Sequence, residues 1–220
     1  MSTLSVDDVR RFLTAAKDSP YYAPFVTLLW TGARRGEVLA LRWLDIDLLL
    51  GTISITRSMY VARGAKIAFE EPKSQMGRRQ VAMPPSLAIV LREHHKRMEQ
   101  LRGPLNDKDL VFTWEDGRPM LPDSVTRAFK RIARRLGLDG IHLHSSRHSH
   151  AILMLEQGIN PKRVSERLGQ ANIGITLDIY SHIMPGIQQA AAETLDKALA
   201  NALLANGSVD KTQTAPLTNG

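Results

Sequence analysis

Val9, Phe12, Leu13 and Ala16 return at intervals of three and four residues, which places them on one face of a helix. Ser5, ahead of Val6, Asp7 and Asp8, offers that helix a side-chain cap and carboxylates for its positive end. A second helix is expected from about Pro20 through Phe25, Leu28, Leu29 and Trp30, ending near Thr31-Gly32, and a third from about Ala33 with Val38, Leu39 and Leu41. After Asp45-Ile46-Asp47 the period shortens to two. Thr52 to Thr56 alternates as a strand does, and shorter candidates follow near 66–70 and 79–83, together one small antiparallel sheet. The helical period resumes from Pro85 to Leu101, a short Val111-Phe112 segment follows, and Pro122 to Leu136, Ser145 to Gln157 and Pro161 to Leu168 are three further helices. Shorter helical stretches are expected at 173–182 and 186–204. From Ala205 onward the residues are small or polar, and this composition predicts a disordered tail over 205–220. The chain is thus mainly α with a small antiparallel β-sheet, an α+β arrangement.

Composition narrows the chemistry. The 220 residues hold no cysteine, which excludes disulfide frameworks, thiolate metal sites and cysteine nucleophiles. The N-terminal residues lack an apolar signal core, and no uncharged apolar run approaches the roughly 18 residues of a membrane span, so a soluble cytoplasmic protein is expected. A formal net charge of +7 and a pI near 9.9 favour a polyanionic partner, with nucleic acid first among them.

Several residues stand out against that background. Arg34, in T-G-A-R-R-G-E (31–37), follows a glycine turn at a helix start, and Glu37 three residues on is spaced to hold its guanidinium. Lys73 lies between two candidate strands, ahead of Gly77, Arg78 and Arg79, either at a solvated hairpin tip or on a mobile loop that brings an ammonium to a phosphate. The densest cluster is H-L-H-S-S-R-H-S-H (142–150). His144, His148 and His150 are conceivable metal ligands, but Arg147 among them would repel a cation. His144 and Arg147 three residues apart suit a phosphate better, a proton carrier beside a permanent cation. Tyr180, in I-T-L-D-I-Y-S-H, becomes a nucleophile only if cations and a base help it lose its proton. Arg127, Lys130, Arg131 and Arg134 share one face of the helix beginning near Pro122, either a solvated surface or a set of duplex phosphate contacts.

Taken in order, T-G-A-R-R-G-E, L-R-W-L-D-I-D, Lys73 before R-R-Q-V-A-M-P, H-S-S-R-H-S-H-A, L-G-Q and D-I-Y-S-H closely resemble the catalytic domain of tyrosine recombinases, the phage-type integrases, over about residues 4–200. The resemblance implies that residues 1–204 form that catalytic domain. It implies that Arg34 and Arg147 grip the scissile phosphate, that Glu37 supports Arg34, and that Lys73, His144 and Tyr180 are the hairpin lysine, the proton carrier and the nucleophile. Gln170 stands where the family usually has histidine or tryptophan; it can donate a hydrogen bond but cannot carry a proton or a charge. Ser145-Ser146 is a smaller departure, and the chain begins almost at the catalytic domain, so the family's N-terminal DNA-clamping (core-binding) domain is expected to be absent from it.

The activity implied is site-specific recombination, as in integration or excision, through a 3′-phosphotyrosyl intermediate, with no metal and no cofactor. The implied partner is double-stranded DNA. The protein is expected to be a monomer when free and a homotetramer on DNA through residues 186–204, where Ile187, Ala191, Leu195, Leu199 and Leu203 share a face. Such a protein would be encoded by a bacterium or a phage. Three readings compete: a DNA-binding pseudo-recombinase, which Gln170 favours; a type IB topoisomerase, separated only by strand exchange; and a metal-dependent hydrolase built on the histidines.

Overall fold

The computed structural model describes residues 3–64, 66–72, 77–183 and 187–205 and divides the chain into two units, 1–183 and 184–220. In the first unit α1 (Val6–Ala16) is capped as expected: the Ser5 hydroxyl accepts from the Asp8 amide at 3.1 Å and Asp8 accepts from the Ser5 amide at 3.1 Å. The next helix, α2 (Tyr22–Thr31), is buried nearly all round. It is the axis of the main core, where the Phe12 ring lies 5.2 Å from Phe25 and 4.5 Å from Phe129, both rings fully buried. Gly32 ends α2 at φ 63°, a left-handed turn that a side chain would resist; a Cβ there would also meet His150 and Leu168 at 2.6 Å.

The third helix, α3 (Arg35–Leu39), starts later than the expected position near Ala33, and this leaves Arg34 in extended conformation just ahead of it. A single tight turn, Trp43–Asp45, leads into β1 (Ile46–Asp47), which pairs antiparallel with β2 (Thr52–Ile55). The two are joined by a turn in which the Asp47 carboxylate accepts from the amides of Leu49 and Leu50.

The expected single sheet is two sheets. One has the order β1-β2-β5, with β5 being Arg79–Ala82, and the other pairs β3 (Ser58–Val61) with β4 (Ile67–Glu70). The chain leaves the first sheet at Thr56-Arg57, where Arg57 Nε donates to the Ala40 carbonyl at 2.9 Å and its guanidinium stacks 4.5 Å over Phe69. Val111-Phe112 forms no strand; its neighbours Leu110 and Thr113 make isolated bridges to Arg42 and Pro119.

Long helices α4 (Pro85–Arg102) and α5 (Pro122–Arg135) close the main core. Three more, α6 (Leu143–Glu156), α7 (Pro161–Leu168) and α8 (Gly174–Ile183), enclose a second, smaller apolar cluster of Ala151, Leu155, Val164 and Leu168. In the second unit α9 (Ile187–Ala205) has Leu195 and Leu199 exposed, while Leu203 and the side chain of Ile187 lie outside what is described. The tail expected over 205–220 begins at the end of α9, and 206–220 lie outside the described residues. Among the described residues no helix is long and apolar enough to cross a membrane.

Candidate active site

The glycine turn after α2 is where Arg34, Glu37 and Arg147 meet. Arg34 and Glu37 face one another across the first turn of α3: the Glu37 carboxylate accepts from the Arg34 amide at 2.8 Å and from Arg34 Nη1 at 2.8 Å. Its other grip comes from β5, where Arg79 donates from Nη2 to Oε2 at 2.8 Å and from Nη1 to Oε1 at 3.3 Å. The Glu37 side chain is 4% exposed. Burial alone would raise its pKa, but the hydrogen bond and charge of Arg79, joined by the hydrogen bonds from Arg34, outweigh it and hold the carboxyl below its ordinary range. The carboxylate is therefore ionised at neutral pH, while about half of the Arg34 side chain stays open to solvent and available to an anion.

Arg147, from α6, arrives from the other side. Its Nη1 donates to the Gly32 carbonyl at 2.8 Å and its Nη2 to the Leu168 carbonyl at 2.6 Å, so it bridges the ends of α2 and α7. These carbonyls are the unpaired acceptors that helix C-termini leave behind. Burial first, and then the neighbouring charge of Arg34, pull the guanidinium down to about 10, at which it is still a cation at physiological pH. Two arginines from distant parts of the chain thus converge on one turn, each pinned by partners that leave other N–H groups unused among the described residues.

The remaining predicted residues differ in how closely they join this pair. His144 is exposed, one turn before Arg147 on α6. Gln170, just past the left-handed Gly169 that ends α7, accepts from the buried Thr176 hydroxyl at 2.6 Å through its carbonyl oxygen, which fixes the amide and leaves its –NH2 end as donor. Tyr180 packs with Ile179 and Ile183 on the second apolar cluster, so its position is set by α6 and α7, the helices that also hold Arg147 and Leu168. Lys73 lies outside the described residues; the segment that carries it joins β4 to β5, and so one sheet to the other. Arg127, Lys130, Arg131 and Arg134 are all exposed on α5, opposite buried Val125, Ala128, Phe129, Ile132 and Ala133, and make no ion pair among the described residues. Arg35 fixes that helix to the site, donating from Nη1 to Pro122 O at 3.2 Å and to Thr126 Oγ1 at 2.5 Å.

The histidines do not gather. His150 donates from Nδ1 to the Leu29 carbonyl at 2.9 Å and accepts at Nε2 from Arg167 Nε at 3.2 Å, a neutral ring locked between α2 and α7. Among the described residues no three imidazole or carboxylate side chains form a metal-ligand set.

Two arginines of consequence escaped the sequence reading. In the sequence Arg79 is only a neighbour of Lys73, yet its side chain is 7% exposed; strand alternation with buried Val81 is the signal that turns it inward. Arg167 donates to the Ala82 carbonyl at 3.1 Å and the Trp30 carbonyl at 2.9 Å as well as to His150, and no local pattern points to those contacts.

The pH behaviour of the fold follows from His150. Burial first, then the charge of Arg167, lower its pKa to about 4 from 6.5, so the unfolded chain takes up a proton below about pH 6.5 that the folded chain refuses until about pH 4. Stability is therefore full above about pH 6.5 and is lost as pH falls toward 4; the contribution of Glu37, whose carboxyl is also held low, is lost only at still more acid pH. Denaturant midpoints at pH 7 and pH 5 should give a loss of about 2 kcal/mol attributable to His150, and His150→Gln should flatten the slope by that amount. An equal slope in the variant would contradict this account.

The family model described as "Phage integrase family" matches residues 2–185. A tyrosine recombinase XerC-like protein of Caldanaerobacter subterraneus subsp. tengcongensis is 33% identical over 211 residues, an alignment covering 89% of this chain and 54% of that protein. The ICEBs1 integrase of Bacillus subtilis is 30% identical over 199 residues, covering 88% of this chain and 54% of its own length. The chain thus spans about half the length of these relatives. Among solved structures, the Tn1549 transposon integrase in complex with transposon right end DNA superposes with a TM-score of 0.77 at 23% identity, covering 88% of this chain and 66% of that one. XerA recombinase superposes at 0.65 with 22% identity, covering 88% and 65%. At such identities these two establish a shared fold.

Proposed function

The chain belongs to the phage integrase family, and from that premise we propose that it cuts and rejoins double-stranded DNA at specific sites, with Tyr180 as nucleophile. The observation that carries the proposal is the bond from Arg147 to the carbonyl of Gly32, two residues ahead of Arg34, which makes two guanidiniums from distant segments one preorganised anion grip. Such a grip suits the non-bridging oxygens of a phosphodiester, where charge builds as phosphorus is attacked.

In the reaction, the Tyr180 oxygen attacks phosphorus and the bond to the 5′-oxygen breaks, leaving a 3′-phosphotyrosyl ester and a free 5′-hydroxyl. His144 takes the tyrosine proton and Lys73 supplies one to the departing oxygen. Gln170 adds a neutral hydrogen bond from its amide. Because the ester keeps the phosphate linkage, the 5′-hydroxyl of a partner strand can reverse the step, with no metal or cofactor consumed. The basic face of α5, clamped beside α3 by Arg35, supplies sequence-independent contacts to the duplex backbone. The exposed Leu195 and Leu199 of α9 support its use between copies, so that the protein, monomeric when free, assembles as a homotetramer on DNA. Its place of action is the cytoplasm of a bacterium, on chromosomal, phage or mobile-element DNA.

The test is supercoiled plasmid incubated with the protein in EDTA at low salt and quenched with SDS. Relaxed circles and protein-linked DNA are expected. DNA binding without either product would overturn the proposal and leave a DNA-binding pseudo-recombinase, and dependence on an added divalent metal would favour a hydrolase.

A further inference from the structure

Arg79 acts on Arg147 directly only through its like charge, and it holds the supports of both arginines of the grip. Its Nη2 and Nη1 hold the Glu37 carboxylate that pins Arg34. Its Nε donates to the Arg167 carbonyl at 2.7 Å, one residue before Leu168, whose carbonyl receives Arg147. Its Nη1 also reaches the Gly77 carbonyl at 3.2 Å, on the segment returning from Lys73 to β5. One planar fork therefore spans the start of α3, the end of α7 and the loop at the head of β5, with donors at fixed angles that a lysine cannot reproduce.

The surroundings are shaped around this fork. A Cβ on Gly169 would lie 2.7 Å from Arg79 Nη1, so the glycine of L-G-Q leaves the space that the guanidinium fills, besides taking a φ of 62°. The Glu37 and Arg79 side chains are both almost wholly buried and are joined by two hydrogen bonds.

We propose that Arg79 is a positioning residue that sets the spacing between Arg34 and Arg147, acting through Glu37 on the first and through the Arg167-Leu168 backbone on the second. This rests on the phosphoryl-transfer reading above. A bound phosphate must meet both guanidiniums at once, and a displacement near 1 Å can cost on the order of 10²-fold in rate. Binding of the duplex, spread over many exposed cations, should hardly register the same displacement.

The experiment compares wild type with Arg79→Lys, which keeps a cation beside Glu37 and loses the fork. Three quantities are measured: single-turnover formation of protein-linked DNA, duplex affinity, and solvent exchange of the Arg147 guanidinium protons by 15N NMR. Expected for Arg79→Lys are a rate lower by 10- to 100-fold, affinity within about twofold, and Arg147 protons that exchange at least about tenfold faster. In an Arg34→Lys background the same substitution should cost less than about threefold, because the spacing it guards is already lost. A rate within threefold of wild type would overturn the proposal, as would an equal loss in both backgrounds, which is what a merely structural arginine gives. If wild type forms no protein-linked DNA, the phosphoryl-transfer reading has failed, and the exchange measurement then decides alone: faster exchange supports the positioning role and unchanged exchange overturns it.

Discussion

Tyr180→Phe is expected to abolish protein-linked DNA, lowering its formation by on the order of 10⁴-fold or more, since the change removes the proposed nucleophile. What makes the variant informative is how little else it disturbs. The ring of Tyr180 packs on Ala151, Leu155, Val164 and Leu168 together with Ile179 and Ile183, and phenylalanine keeps that contact. Thermal stability should stay within about 1 kcal/mol of wild type, and duplex affinity should not change, because the hydroxyl is one group among many at a surface dominated by cations. Gel analysis after SDS, alongside a melting curve and a binding isotherm, checks all three. Residual adducts at the wild-type rate would remove Tyr180 from the mechanism.

Arg147→Lys is the second substitution with a large expected effect, and it should act on both reaction and fold. In the wild type one guanidinium donates to Gly32 O and Leu168 O at once and still has donors left for a phosphate. An ammonium is a single point of charge and cannot hold both carbonyls in that geometry. Losing an oriented donor on the developing charge should lower the cleavage rate by roughly 10²- to 10³-fold. A buried carbonyl left without its partner costs about 1–3 kcal/mol of stability, so a lower melting temperature accompanies the rate loss. The contrast with Tyr180→Phe is the diagnostic: one variant loses chemistry with its fold intact, the other loses both together.

Much of this was legible in the chain, and where it was not the reason is physical. Helices α1, α2, α4, α5 and α7 came from periodicity, caps and glycine stops, all local signals. Strand β3 did not, because only Met59 of Ser58–Val61 is buried and the strand pairs away from the first sheet, leaving no alternation to detect. Ala33 and Arg34 are helix-tolerant residues and predict an earlier start to α3; the Glu37 carboxylate holds the Arg34 amide in extended backbone instead. Arg34, Glu37 and Arg147 were found by motif and spacing, and the structure brings them together. Arg79 and Arg167 serve carbonyls contributed by elements distant in sequence, contacts that exist only once α2, β5 and α7 have packed. Their roles are tertiary, and only the alternation of Arg79 with Val81 hinted at either.

The central claim is that Tyr180 carries the covalent bond to DNA, and peptide mapping of the SDS-trapped adduct tests it most directly. After nuclease and trypsin treatment, cleavage following Arg167 and Lys197 leaves Tyr180 as the one tyrosine of the peptide 168–197, apart from Tyr21, Tyr22 and Tyr60. The account predicts a nucleotide mass on that peptide, with fragmentation placing it at Tyr180. The same mass on any other peptide, or cut DNA with no nucleotide bound to protein, would contradict it.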